Sequence, residues 1–476
     1  MIPEEMFRPR SVAIIGASSD EKKERIGWLG RLQEFGYQGQ LYPINPRSSR
    51  ILGCQAYSSI REVPEPVDYA IVAVRAELVP QVLSECVGCK VKVVHIYTAG
   101  FAETGKEKGR KLQEELQAIM QGGTTRVIGP NCMGVYCPGG GLTFNVRFSR
   151  KGGAVGVISQ TGAGLQGFIP QAHDKGIYFS KVISYGNGVD LEAADLLEYL
   201  ADDCETHLVF CYIEGLRDGR RFFEAAKRCA ENNKPLIILK GGMTQGGREA
   251  VVSHTASLAG LEQVWRGFFK QARCISVETL EEALEQILAF QYLRPPKGKA
   301  VAIITRGGGP GVIATDQCEK SGLSVPALSK EIRSALETIV QAEAGSSVRN
   351  PVEIGLGRSG VSQHYADGIK LAASDPHIDM LLVQLNPHFY AQYGMGAERV
   401  EEAVGTLVNT AKEVSKPMAV VIPLGDDLRI IDTVLKAHKK CLSEGLAAFS
   451  DVEKAVKAMS KLAEYWAPAE RNTRNR

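Results

Sequence analysis

Ser11-Val12-Ala13-Ile14-Ile15-Gly16-Ala17-Ser18-Ser19-Asp20 decides the fold class: an apolar run too short for a helix ends in a glycine, small residues and an acid. A continuous apolar run of strand length is buried on both faces, which calls for a parallel sheet covered by helices. The glycine turn that follows is how such a strand passes into a helix. The layout returns at residues 154–158, followed by Ser159-Gln160-Thr161-Gly162-Ala163-Gly164. It returns again at residues 300–305, followed by Arg306-Gly307-Gly308-Gly309-Pro310-Gly311.

Outward from the first anchor, strand-length runs follow at 40–42, 69–74, 91–96 and 126–128, with amphipathic helical patterns at 77–87 and 107–120. The glycines Gly139, Gly140 and Gly141 after Pro138 break this alternation. From the second anchor the runs 179–184, 208–213 and 236–239 alternate with helices expected at 191–200 and 219–231, up to Arg294-Pro295-Pro296-Lys297-Gly298. From the third, runs at 380–385 and 418–422 lead to a final helix near 452–465. The expectation is an α/β chain of three consecutive Rossmann- or flavodoxin-like parallel-sheet domains, at 1–140, 150–294 and 299–466. The 476 residues suit three domains at roughly 100–200 residues each.

Composition narrows the function. The 56 Lys+Arg nearly balance 54 Asp+Glu, a net charge of +2, which disfavours nucleic acid and anionic membrane surfaces as partners. Apolar runs stay well short of the roughly 18 residues of a membrane span. The acidic start of the chain is unlike a signal peptide, so a cytoplasmic location is expected. The 11 cysteines lie mostly in apolar segments and read as reduced thiols; Cys86 and Cys89 have C-x-x-C spacing but no second pair, so no metal site is expected. The 50 glycines carry more information, because they recur just after β-branched runs.

The first glycine turn is placed for a phosphate-bearing ligand, since ligands of such sheets bind at the carboxyl ends of strands and helix N-termini attract anions. It lacks the dinucleotide fingerprint G-x-G-x-x-G: Ser18 stands at the second glycine, and the next glycine is Gly27. The second strand runs into Pro43-Ile44-Asn45-Pro46-Arg47 rather than the acid that holds an NAD ribose. Arginine suits a phosphorylated ribose instead, as in NADP or the 3′-phospho-ADP of coenzyme A; a tight turn without ligand is the other reading. Val74-Arg75-Ala76 and Thr98-Ala99-Gly100-Phe101 end two further strands on that edge, ahead of Gly129-Pro130-Asn131-Cys132-Met133-Gly134. Together these residues resemble the CoA-binding domain of succinyl-CoA synthetase and of the NDP-forming (ADP-forming) acyl-CoA synthetases.

At the second turn, free N–H groups of the helix start would attract an anion such as phosphate, with Ser159 and Thr161 as hydroxyl donors; a plain helix cap is the alternative. The segment also resembles the phosphate-binding helix of those synthetases. Lys240-Gly241-Gly242-Met243-Thr244-Gln245-Gly246-Gly247-Arg248 then runs into Ser253-His254-Thr255-Ala256-Ser257-Leu258-Ala259-Gly260. Four glycines predict a flexible loop, and a flexible loop that carries a nucleophile can visit more than one site. A lone histidine is more often structural. S-H-T-x-S-L-A-G, however, closely resembles the phosphohistidine loop of the same family, which makes His254 the residue phosphorylated. Such a histidine needs an acceptor on its other ring nitrogen, and Glu214, in a segment similar to the family's Y-x-E-G, would supply it. Ser184-Tyr185-Gly186-Asn187 matches the family's S-x-G-N, which lies near the acyl and phosphate site.

The resemblance covers nearly the whole chain, with Gly308–Gly311 and Asn350-Pro351-Val352-Glu353 similar to the family's G-G-P-G and N-P-V-D, and Glu353 where Asp is usual. It implies an alpha-type subunit that interconverts acyl-CoA, phosphate and ADP with carboxylate, CoA and ATP through an acyl phosphate and phosphohistidine. His254 and Glu214 would be catalytic. Ser159, Gln160, Thr161, Gly162, Asn131, Gly186 and Asn187 would hold the phosphate and acyl group. Coenzyme A would be held by Gly16, Ala17, Ser18, Ser19, Arg25, Asn45, Pro46, Arg47, Val74, Arg75, Ala76, Thr98, Ala99 and Gly100. The family usually has V-P-A at 74–76, so Arg75 puts the choice of substrate in doubt more than the chemistry. Three units leave no length for the family's ATP-grasp module. ATP or ADP with Mg is therefore expected on an ATP-grasp beta subunit, in an α2β2-type hetero-oligomer. The alternatives are a non-catalytic regulatory or scaffold protein that binds CoA or acyl-CoA, and an NADP-dependent oxidoreductase, for which no hydride-acceptor site is found.

Overall fold

A computed structural model describes residues 2–255, 260–340, 347–354, 363–392, 396–425 and 429–467, with the backbone alone for 252–255. The chain forms two compact units, Met1–His173 with Ile177–Ala283, and Asp174–Gly176 with Leu284–Arg476.

The first unit contains two large sheets and a small antiparallel pair, Arg50–Ile51 with Cys54–Gln55. In one, the strands Gln40–Ile44, Ser11–Ile15, Tyr69–Val72, Val93–Ile96 and Arg126–Ile128 lie side by side in that order, all parallel. Ser11–Ile15 is buried throughout, as its unbroken apolar sequence requires. In the other, the order is Ile275–Val277, Leu236–Lys240, Leu208–Ile213, Val155–Ser159, Phe179–Ser184 and Gly134–Tyr136. The last strand pairs antiparallel to Phe179–Ser184, so this sheet is parallel except at one edge. Gly134–Tyr136 lies within the 1–140 stretch expected to form the first domain, yet its hydrogen bonds go to the second sheet. At three residues its own pattern carries too little information to choose a partner.

The second unit holds a third sheet, all parallel, in the order Val352–Glu353, Val301–Thr305, Met380–Gln384, Met418–Val421 and Ala448–Phe449. In each sheet the anchor strand has neighbours on both sides, and the chain winds away from it in two directions. The anchor's carboxyl end is therefore the switch point where such sheets open a crevice. The three glycine turns at 16, 162 and 307–309 follow those three ends.

Within the first unit the two sheets are joined by named bonds. Arg126 and Asp190 form a two-pronged ion pair at 2.9 Å on each prong. The N–H groups of Asn187, Val189 and Leu191 donate to the carbonyls of Pro130, Gly129 and Val127 at 3.0, 3.1 and 3.1 Å. This docking brings the carboxyl edge of the first sheet against that of the second.

Candidate functional site

The loops after four adjacent strands of the first sheet carry the residues expected to meet CoA. Gly16 has φ +97°, and a Cβ there would lie 2.5 Å from the Ala73 carbonyl, so the turn tolerates only glycine. The Asn45 amide donates to the Ala17 carbonyl at 2.7 Å and its Oδ1 accepts from Arg47 N–H at 2.8 Å, while the Thr98 hydroxyl donates to Val74 at 2.7 Å. The four loops are thus stitched together in two pairs, with Arg25, Arg47 and Arg75 exposed. Sequence reasoning missed Glu24. Its buried carboxylate accepts N–H groups from Ser18 at 2.6 Å and Leu29 at 3.0 Å, so the entrance of the helix Trp28–Phe35 already faces an anion. That helix end is therefore already faced by the Glu24 carboxylate, which disfavours a second anion there.

At the second switch point, Ser159 and Gln160 are buried at the end of their strand. The Ser159 hydroxyl donates to the Thr161 carbonyl at 2.7 Å, closing the turn that starts the helix Ala163–Asp174. Gly162 is needed for a close approach: a Cβ would stand 2.5 Å from Met133 Cγ. Ser184 Oγ, in turn, accepts the Met133 N–H at 3.1 Å. Gly186 has φ +57°, and a Cβ on it would press against the Pro130 and Asn131 carbonyls at 2.3 and 2.5 Å. Asn131 is itself left-handed at φ +60°, and its N–H donates to the Thr98 carbonyl at 3.0 Å. The glycine turn, the Gly129–Gly134 segment and the S-x-G-N segment therefore meet at one place.

Glu214 is buried beside them, 3% exposed. Gln160 Oε1 accepts the N–H groups of Glu214 at 2.8 Å and Gly215 at 3.1 Å, and the Tyr212 hydroxyl donates to Glu214 Oε1 at 3.1 Å. Lys240, a further residue not foreseen as part of the site, ends the neighbouring strand. Its buried ammonium donates to the Glu214 carbonyl at 2.8 Å and to the Gly241 carbonyl, and sits 5.3 Å from the Trp265 ring centre. Burial lowers its pKa to about 8, with the Glu214 charge opposing.

Within the glycine-rich segment expected as a flexible loop, Gln245–Thr255 forms a helix. Thr244 Oγ1 accepts the Gly247 N–H at 3.1 Å, and Arg248 N–H reaches the Thr244 carbonyl at 2.9 Å. Thr244 thus caps the first turn, where glycines cost less than in a helix interior. The helix lies against the turn Ala102–Thr104. It carries His254 in its last turn; the side chain of His254 and the residues 256–259 fall outside the described part.

The described cysteines are all free thiols, and among the described residues no group of His, Cys, Asp and Glu is arranged to hold a metal ion. No described helix is long and apolar enough to cross a membrane.

Three sheets, each with a switch point after its anchor strand, and a buried acid beside the second helix entrance define a multidomain protein of the α/β class. The sequence comparisons agree, domain by domain. Residues 10–138 match the model of a CoA binding domain, 152–290 that of a succinyl-CoA ligase like flavodoxin domain, and 301–471 that of a ligase-CoA domain. The chain is 39% identical over 422 residues to the acetate–CoA ligase (ADP-forming) II subunit alpha of Pyrococcus furiosus, covering 88% of this chain and 89% of that one. It is 35% identical to the corresponding I subunit alpha of the same organism, with 96% of each chain covered. It spans 63% of acetate–CoA ligase (ADP-forming) I of Archaeoglobus fulgidus, at 34% identity over 97% of its own length. Among solved structures, the dinucleotide forming acetyl-coenzyme A synthetase 1 of Ca. Korarchaeum cryptofilum in complex with phosphate and ADP superimposes with a TM-score of 0.84, at 29% identity over 98% of this chain and 97% of that one. The chain belongs to the NDP-forming acyl-CoA synthetases of the succinyl-CoA synthetase-like superfamily, as an alpha subunit, and so to the acid–thiol ligases.

Proposed function

We propose that the chain carries the acyl-CoA and phosphohistidine half-reactions of an acyl-CoA synthetase. Acyl-CoA and phosphate give an acyl phosphate and free CoA. A ring nitrogen of His254 attacks the phosphoryl group, the bond from phosphorus to the acyl oxygen breaks, and phosphohistidine and the carboxylate result. The phosphoryl group then passes to ADP, regenerating histidine. In reverse, the sequence activates a carboxylic acid at the expense of ATP.

The observation that carries this reading is the Gln160 side chain, which binds the phosphate-type helix entrance at Ser159–Gly162 to the backbone of Glu214 at 2.8 Å. Phosphoryl transfer gains mostly from positioning and from N–H groups aimed at the spread charge, and a rigid link between the two elements supplies the positioning. In this reading Glu214 orients the imidazole, and Gly16–Ser19, Asn45–Arg47, Val74–Ala76 and Thr98–Gly100 receive CoA with Arg25, Arg47 and Arg75. Relatives named as alpha subunits support assembly with other subunits. The nucleotide and its Mg are assigned to an ATP-grasp beta subunit in an α2β2-type complex. The names of relatives point to acetate as the first acid to try.

Intact-mass analysis of the purified chain after incubation with phosphate and a panel of acyl-CoA thioesters tests the reading. An acid-labile phosphate adduct that is absent from His254→Ala is expected. No adduct with any thioester, nor with ATP and a candidate beta subunit, would leave a CoA-binding regulator as the better account.

A further inference from the structure

Asn187 stands between the two carboxyl edges of the first unit, and its amide orientation is fixed by its neighbours. Its Nδ2 lies 2.6 Å from Glu103 Oε2 and 2.9 Å from Gln113 Oε1. An ionised carboxylate only accepts hydrogen bonds, so the NH2 end of the amide must face Glu103. Both Nδ2 hydrogens are then engaged. Asn187 Oδ1 is buried and has no partner among the described residues. What the side chain has left to offer is an acceptor.

An acceptor repels phosphate oxygens and attracts N–H, O–H or S–H groups. Its place favours the first of these. The same Glu103 carboxylate accepts the N–H groups of Gly100 at 2.6 Å and Phe101 at 3.1 Å. Asn187 is therefore one carboxylate away from the loop assigned above to CoA. A buried orphan acceptor costs about 1–3 kcal/mol until a donor meets it, and amide N–H groups are the regularly spaced donors of CoA's pantetheine arm.

The geometry points to Asn187 as an acceptor for an amide N–H of the CoA arm rather than a phosphate ligand, with Glu103 the positioning residue that sets its orientation. This rests on the assignment of CoA to the first sheet. It makes the Glu103 carboxylate a joint between the CoA loop and the S-x-G-N segment, so a bound CoA arm is registered in the second sheet through a single side chain.

Glu103→Gln is the informative variant. Its Oε1 can still accept from Gly100 and Phe101, but its NH2 end now faces Asn187, so the Asn187 amide must turn over and present Nδ2 where Oδ1 stood. Equilibrium binding of CoA and of inorganic phosphate to the full chain is measured by calorimetry for wild type, Glu103→Gln and Asn187→Ala. Both variants should weaken CoA by about twofold to twelvefold, consistent with one net hydrogen bond. Asn187→Ala should leave phosphate affinity within about twofold, while Glu103→Gln should strengthen it. Weaker phosphate with unchanged CoA in Asn187→Ala would return Asn187 to the phosphate site and overturn the proposal. Unchanged CoA binding in both folded variants would overturn it too. If Asn187→Ala does not fold, Glu103→Gln alone decides, because it preserves shape and reverses polarity. CoA binding is read here without phosphohistidine formation. Wild type that fails to bind CoA would sink the assignment of the first sheet instead.

Discussion

Gln160 Oε1 accepts the backbone N–H of Glu214 at 2.8 Å, and the Gln160 N–H donates to the Tyr212 carbonyl at 3.1 Å. One residue at the helix entrance thus holds both sides of the strand end that carries the acid. A carboxylate that must orient an imidazole has to be held from the backbone, and here the holding residue belongs to the element assigned to phosphate.

Replacing Gln160 with Leu leaves the Glu214 and Gly215 N–H groups without this acceptor. Each buried unmet donor costs about 1–3 kcal/mol, so Gln160→Leu should lose about 2–6 kcal/mol in urea unfolding. The fraction of chain phosphorylated from acyl-CoA and phosphate should fall at least tenfold, while CoA affinity stays unchanged.

Gly186→Ala places a methyl group 2.3 Å from the Pro130 carbonyl at φ +57°. Left-handed strain and overpacking together cost about 2–4 kcal/mol. A fall in the urea midpoint of the chain is expected. Gly53→Ala also has a positive φ, but with open space around it, and should cost less.

His95 is a pH prediction. The ring is 1% exposed, and burial lowers its pKa from 6.5 to about 4 despite its bond to the Cys132 carbonyl. Between pH 6.5 and 4 the unfolded chain therefore binds a proton that the folded chain does not. Stability from this residue is full above pH 6.5 and drains away as pH falls to 4, by about 3 kcal/mol at 1.4 kcal/mol per unit. Urea midpoints of His95→Gln should show a correspondingly shallower acid slope.

Lys240 acts with the same sign in a more alkaline window. Its folded pKa of about 8 lies below the usual 10.5, so between these values the unfolded chain holds the extra proton and stability rises with pH. The stability of wild type relative to Lys240→Met should shift in favour of wild type from pH 8 to 10.5. A constant difference would show that the ammonium is not buried as described.

Much of the fold was legible because parallel strands and their helices carry local patterns. The strands Ser11–Ile15, Arg126–Ile128, Phe179–Ser184 and Leu208–Ile213, and the helices Glu107–Met120 and Gly219–Glu231, run as their apolar spacing predicts. Gly134–Tyr136 was not legible as an antiparallel edge strand, because three residues have no period of their own. The helix Gln245–Thr255 was hidden by its glycines, whose cost Thr244 offsets with a cap that is visible only once the turn is formed. Glu24 and Lys240 left no signal in the sequence, since a charged residue destined for burial looks like any surface one until its partners are known, and the half-buried Glu103 shows its role only through the N–H groups and the amide it meets.

By itself the sequence determined the three strand-turn-helix anchors, and through its motifs the family and the candidate nucleophile, because these depend on residue type at short spacing. Only the tertiary structure decided that Gln160 holds Glu214, that Lys240 is buried against that same strand end, and that the Asn187 amide shows its oxygen rather than its nitrogen. Each of those depends on which buried donor meets which acceptor across elements far apart in the chain. That pairing is settled by docking of the sheets, where an unmet polar group is too costly to leave to chance.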